Sequence, residues 1–290
     1  MHPIHTTKEY IHYYAKGLWN GMDEDHCFIF ASGIAFNVLL CIIPLSLILF
    51  QIFSIILQNN DNAKQAVLEY IQRGLPLESY GQALKDWVQT QFAYVSDVSY
   101  VPGIIALLVL LWLASALFSS LRSTVNGIFK IPTHHNMAVL RLKDMASIFV
   151  ISLFLLLIIL FSPLVTAMQK MSDKILPAFL SSFIHSTVTT LVPVVVSLLL
   201  FLFLFHSLPH RRIPWRVSIL STIVTVGLIE IMKYLFVFYL DKISNLGAVY
   251  GAYAFFVAIA LWAYYVGLVF TIGAEVGKLY RDHQMSKAPM

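Results

Sequence analysis

Glu230 and Lys233 stand three residues apart in an otherwise apolar stretch, so on a helix they share one face. A charged side chain at the centre of a bilayer costs at least ~2.5 kcal/mol unless it is partnered. The two therefore either neutralise each other or line a polar route. Asn37, Ser46 and Gln51, on the first apolar stretch, can form a second wall of such a route, and Pro44 frees a backbone carbonyl beside them. Hydrogen bonding between helices accounts for the same polar residues. A second group is Arg122, Asn126 and Glu275. Arg122 and Asn126 fall on one helical face near the end of an apolar run, and Glu275 closes another run at the same depth. An inner gate or a structural clamp is expected there. Glu275 cannot act as an acid–base pair with Glu230, which lies ~20 Å along its own stretch at 1.5 Å per residue.

Other chemistry finds no residues to carry it. Of the ten histidines, His134/His135 and His206/His210 lie in or beside short basic segments with no close carboxylate cluster. The chain has no His-x-His-x-Asp-His pattern, Walker loop, dinucleotide fingerprint or nucleophile elbow. Cys27 and Cys41 would sit ~21 Å apart on one helix and read as small apolar fillers. The expectation is a protein that is not an enzyme, with no metal, no cofactor and no nucleic-acid partner.

The elements around these residues are set by composition. Hydrophobic residues make up 59% of the chain and charged residues only 12%, about half the usual globular share, so part of the surface must face lipid. Six stretches reach the ~20 apolar residues that cross a bilayer as a helix: 28–57, 101–121, 145–168, 188–205, 217–239 and 252–272. The fold class is therefore all-α, a polytopic membrane bundle forming a single domain over 1–290. Residues 1–26 are too polar for a cleavable signal peptide. Ile11, Ala15, Leu18 and Met22 recur at helical spacing and predict an amphipathic helix on the membrane surface. Stripes around Tyr70 and Trp87, broken at Gly74 and Pro76, predict a helical hairpin over 59–99 between the first two spans. Lys and Arg are twice as frequent on one set of connecting segments, led by Arg122–Lys143 and Arg211–Arg216. The positive-inside rule places that set, with both termini, in the cytoplasm.

Four segments carry a family resemblance in order along the chain: "ASGIAFNVLLCIIPLSLILF", "LLWLASALFSSLRSTVNGIFKI", "LFHSLPHRRIPWRVSIL" and "YGAYAFFVAIALWAYYVGLVFTIGAEVGKLY". Together they resemble the YihY/BrkB family across nearly all of 28–280. Asn37 stands where the family pattern has Tyr, and Cys41 where it has Ser. The resemblance implies a bacterial inner-membrane protein of six spans and no agreed activity. The family carries labels of serum resistance and "ribonuclease BN", and the second finds no catalytic residues in this sequence.

Three functions fit these residues. The first is a transport or export component for a lipid or other amphiphile in envelope biogenesis, with membrane lipids and an envelope protein as partners. The second is a proton- or cation-coupled small-solute transporter using Glu230, disfavoured by the lysine beside it. The third is an envelope scaffold that transports nothing.

Overall fold

The computed structural model describes residues 7–57, 101–132, 145–149, 178–243, 250 and 253–287. Every regular element among them is helical and none is a strand. In chain order they are α1 (Thr7–Glu24), α2 (Cys27–Leu57), α3 (Val101–Ile128), α4 (Ala178–Ser207), α5 (Trp215–Phe238), a π-helical turn (Tyr239–Ile243) and α6 (Ala254–Lys287). Among the described residues, four segments are long and apolar enough to cross a membrane: Cys27–Ile48, Gly103–Ile128, Trp215–Lys242 and Ala254–Ser286. Leu191–Ser207 is a shorter apolar helix. These match the expected first, second, fifth, sixth and fourth spans. Of the expected third span, 145–168, only 145–149 is described, and that piece is helical. The expected hairpin over 59–99 lies outside the described residues.

The ends of the helices show how the sequence shapes the chain. α1 stops where the Asp25 amide donates to the Gly21 carbonyl (2.9 Å) and His26 turns left-handed at φ 53°. α2 begins at the next residue. α3 ends in a Schellman-type cap, in which the Ile131 amide donates to the Asn126 carbonyl (2.8 Å) and that of Lys130 to Gly127 (3.1 Å). Lys130 takes the left-handed position at φ 52°, where glycine is the usual occupant. Pro132 follows and prevents continuation. At the start of α5 the Pro214 carbonyl accepts from the amides of Val217 and Ser218. α2 runs on through Pro44, with the Ser46 hydroxyl donating to the Ile43 carbonyl at 2.7 Å. α6 differs from expectation at its end. It continues as helix to Lys287, well past the apolar stretch that stops at 272. Lys278 and Arg281 are thus rigidly placed on a helix rather than carried by a loop.

The chain forms two compact units. Unit 1 comprises 1–27, 121–228 and 270–290; unit 2 comprises 28–120 and 229–269. Unit 1 is centred on aromatic packing: Phe205 stacks on Phe270 with ring centroids 4.8 Å apart, and Phe201 lies 6.2 Å from Phe270. Val125, Ile128 and Phe129 of the α3 end are buried in the same unit. Unit 2 packs α6 against α2 so closely that a Cβ at Gly267 would lie 2.8 Å from the Ala31 carbonyl oxygen. Phe236 meets Trp262 at 5.1 Å and Tyr265 at 6.1 Å. The outward faces of the spans stay apolar, with Ile104, Leu108 and Trp112 of α3 all exposed, as a lipid-facing surface requires.

Candidate functional site

Unit 1 holds a buried ionic cluster. The Glu275 side chain on α6 is fully buried. Its Oε1 accepts from Lys278 Nζ at 3.0 Å, one turn further along the helix. Lys278 Nζ also donates to Asp25 Oδ2, at the junction of α1 and α2. Asp25 in turn lies 3.7 Å from Lys130 at the capped end of α3. Lys130 is 65% exposed, whereas Asp25 (6%), Lys278 (9%) and Glu275 (0%) are all buried. Two carboxylates thus share one buried ammonium. Glu275 Oε2 has no hydrogen-bond partner among the described residues. Burying three charges is tolerable only because each faces an opposite one at hydrogen-bonding range.

Glycines make this approach possible. A side chain at Gly21 of α1 would collide with the Glu275 carboxylate, and one at Gly17 would press on Leu279. On the opposite face of α6, Gly273 and Gly277 bring the helix against Ser221 and Thr225 of α5. Gly273-x-x-x-Gly277 is a close-packing motif of membrane helices. Arg281 completes the end of α6: its Nη1 donates to the Phe129 carbonyl at 3.0 Å, and its guanidinium lies 5.2 Å from the centroid of the Phe129 ring.

Arg122, Asn126 and Glu275 are all buried in unit 1. Asn126 holds the loop after α4: its Nδ2 donates to His210 Nδ1 (2.6 Å) and its Oδ1 accepts from the His210 amide (3.1 Å). Sequence reasoning missed Asp25 and Lys278. Lys278 was visible in principle, since it follows Glu275 by three residues, as Lys233 follows Glu230. Asp25 gave no signal of its own within the Asp23–Glu24–Asp25 run.

Unit 2 holds the ion pair expected on the fifth span. Lys233 Nζ donates to Glu230 Oε1 at 2.6 Å, and the two side chains remain 42% and 30% exposed. Asn37 donates its amide to the Gly33 carbonyl of its own helix at 2.8 Å. Pro44 is buried within α2. Gln51 is helical in backbone, and its side chain lies outside the described residues. Among the described residues, no group of three or more His, Cys, Asp or Glu side chains is placed to hold a metal ion.

Residues 18–289 match the family model described as "Virulence factor BrkB". Over 67 residues the chain is 36% identical to a protein described as "UPF0761 membrane protein" from Chromobacterium violaceum. That stretch is 23% of this chain and 16% of the relative's length. No solved structure matches.

Proposed function

The chain belongs to the BrkB family, and on that footing we propose that it is a transport or export component for a lipid or other amphiphile in envelope biogenesis. It works in the bacterial inner membrane with both termini cytoplasmic, it is not an enzyme, and membrane lipids and an envelope protein are its partners. The supporting observation is the Glu230–Lys233 pair. It lies about 22 Å along the Trp215–Lys242 span at 1.5 Å per residue, yet both side chains reach the surface of unit 2. Even paired, charge at that depth is costly against hydrocarbon, and water, a head group or a neighbouring polar surface meeting it relieves that cost. A zwitterionic or charged head group passing the pair can exchange partners with it.

The test is the double change Glu230→Gln with Lys233→Met, scored by thermal stability in detergent and by rescue of an envelope defect in a deletion strain. The expected outcome is a protein that folds as wild type and fails to rescue. A stable double variant that rescues fully defeats the route, and the scaffold function then takes its place.

Orientation is tested separately with single cysteines at Ser79 and Thr133, both outside the described residues, in a background lacking Cys27 and Cys41. An impermeant maleimide on spheroplasts is expected to label the Ser79 site alone; labelling of the Thr133 site alone inverts the topology.

A further inference from the structure

The loop joining α4 to α5 in unit 1 is pinned from beneath and charged above. Leu208, Pro209 and Ile213 are buried, and His210 is held by both ends of the Asn126 amide. The His206 and Trp215 rings stack at 3.8 Å, tying the last turn of α4 to the first of α5. From this fixed base Arg211, Arg212 and Arg216 all project into the exposed surface. None of the three has an ion-pair or hydrogen-bond partner among the described residues. Three guanidiniums within six residues, with no neutralising carboxylate among the described residues, form a concentrated positive patch.

The surface next to the patch is apolar. Trp215, Ile219 and Ile223 recur every four residues down α5 and are 58%, 43% and 56% exposed. They make an apolar line that starts at the arginines and runs along the span. Guanidinium groups suit phosphate oxygens through paired N–H donors, indole rings favour the membrane–water boundary, and the isoleucine line suits an acyl chain. We propose that this loop and the outer face of α5 bind an anionic phospholipid, its phosphate held by Arg211, Arg212 and Arg216 and one acyl chain lying along Trp215, Ile219 and Ile223. The site goes beyond the transport function and does not depend on it, because a retained lipid can support the fold or regulate the protein without being carried.

Trp215 makes the site directly measurable. The chain has five tryptophans, so changing Trp19, Trp87, Trp112 and Trp262 to Phe leaves a single reporter. In nanodiscs of phosphatidylcholine, the relative binding constants of acyl-brominated phosphatidylglycerol and acyl-brominated phosphatidylcholine follow from quenching of that indole. The expected result is a preference for phosphatidylglycerol of at least about tenfold, lowered by salt. It should be abolished by Arg211→Gln with Arg212→Gln and Arg216→Gln, since each basic side chain at an anionic surface contributes roughly fivefold in affinity. Native mass spectrometry of the protein with all tryptophans intact gives a second reading, with retained phosphatidylglycerol lost in the triple variant alone. Equal quenching by the two lipids, or a preference that survives the triple change, overturns the site. Displacement of brominated phosphatidylglycerol by inorganic phosphate at low concentration reassigns the patch to a soluble phosphate and overturns the lipid. Binding of a short RNA to the patch without a lipid preference also refutes it.

Discussion

Replacing Lys278 with Met is expected to destabilise the protein by about 3–5 kcal/mol, the cost of leaving a buried charge without its partner. Lys278 stands between Asp25 and Glu275, both almost wholly withdrawn from solvent. Without the ammonium, the Glu275 carboxylate loses its hydrogen bond to Oε1, while Oε2 already has no partner among the described residues. Lys130, 3.7 Å from Asp25 and well exposed, offsets only part of the loss at that residue. The triple change Asp25→Asn, Lys278→Met and Glu275→Gln removes the charges together. It is expected to recover part of the stability, because no buried charge is left unpaired, while the Asn and Gln amides keep a desolvation cost that apolar side chains would not. Thermal unfolding in detergent of the single and triple variants measures the difference. A Lys278→Met protein as stable as wild type would show that the three charges are not coupled.

The described spans were legible because hydropathy and helix length are properties of contiguous sequence. Five of the six expected stretches coincide with apolar helices, and the described start of the remaining one is helical. The pairing of Glu230 with Lys233 was legible for the same reason, since a spacing of three fixes two side chains on one helical face. The buried cluster was only half legible. Glu275 and Lys278 share a helix, but Asp25 is 253 positions away from Lys278 and reaches it through the fold alone. Hydropathy also ended the last span at 272, where the polar residues begin. It could not register that Gly273 and Gly277 let the helix continue against Ser221 and Thr225. Asn126 shows a similar limit: its face was legible, whereas its two hydrogen bonds to His210 join residues 84 positions apart.

Glycine position gives the sharpest contrast between chemically identical changes. A Cβ at Gly267 would lie 2.8 Å from the Ala31 carbonyl oxygen and 3.2 Å from its Cα, so the obstacle is backbone and cannot rotate aside. At Gly227 on α5 no atom of the described residues lies within 4 Å of the same added atom. Gly267→Ala must therefore push α2 and α6 apart within unit 2, while Gly227→Ala meets no obstacle among the described residues. The first is expected to cost about 1–3 kcal/mol, as overpacking does in a close-packed interior, and Gly267→Val more. The second is expected to leave stability unchanged or raise it by about 0.5–1 kcal/mol, because alanine gives up less backbone freedom than glycine on entering a helix. Both variants in one detergent, compared by Tm and by the fraction that remains monodisperse after heating, decide the matter. Equal Tm values for Gly267→Ala and wild type would mean that α2 and α6 do not approach as closely as Ala31 and Gly267 require.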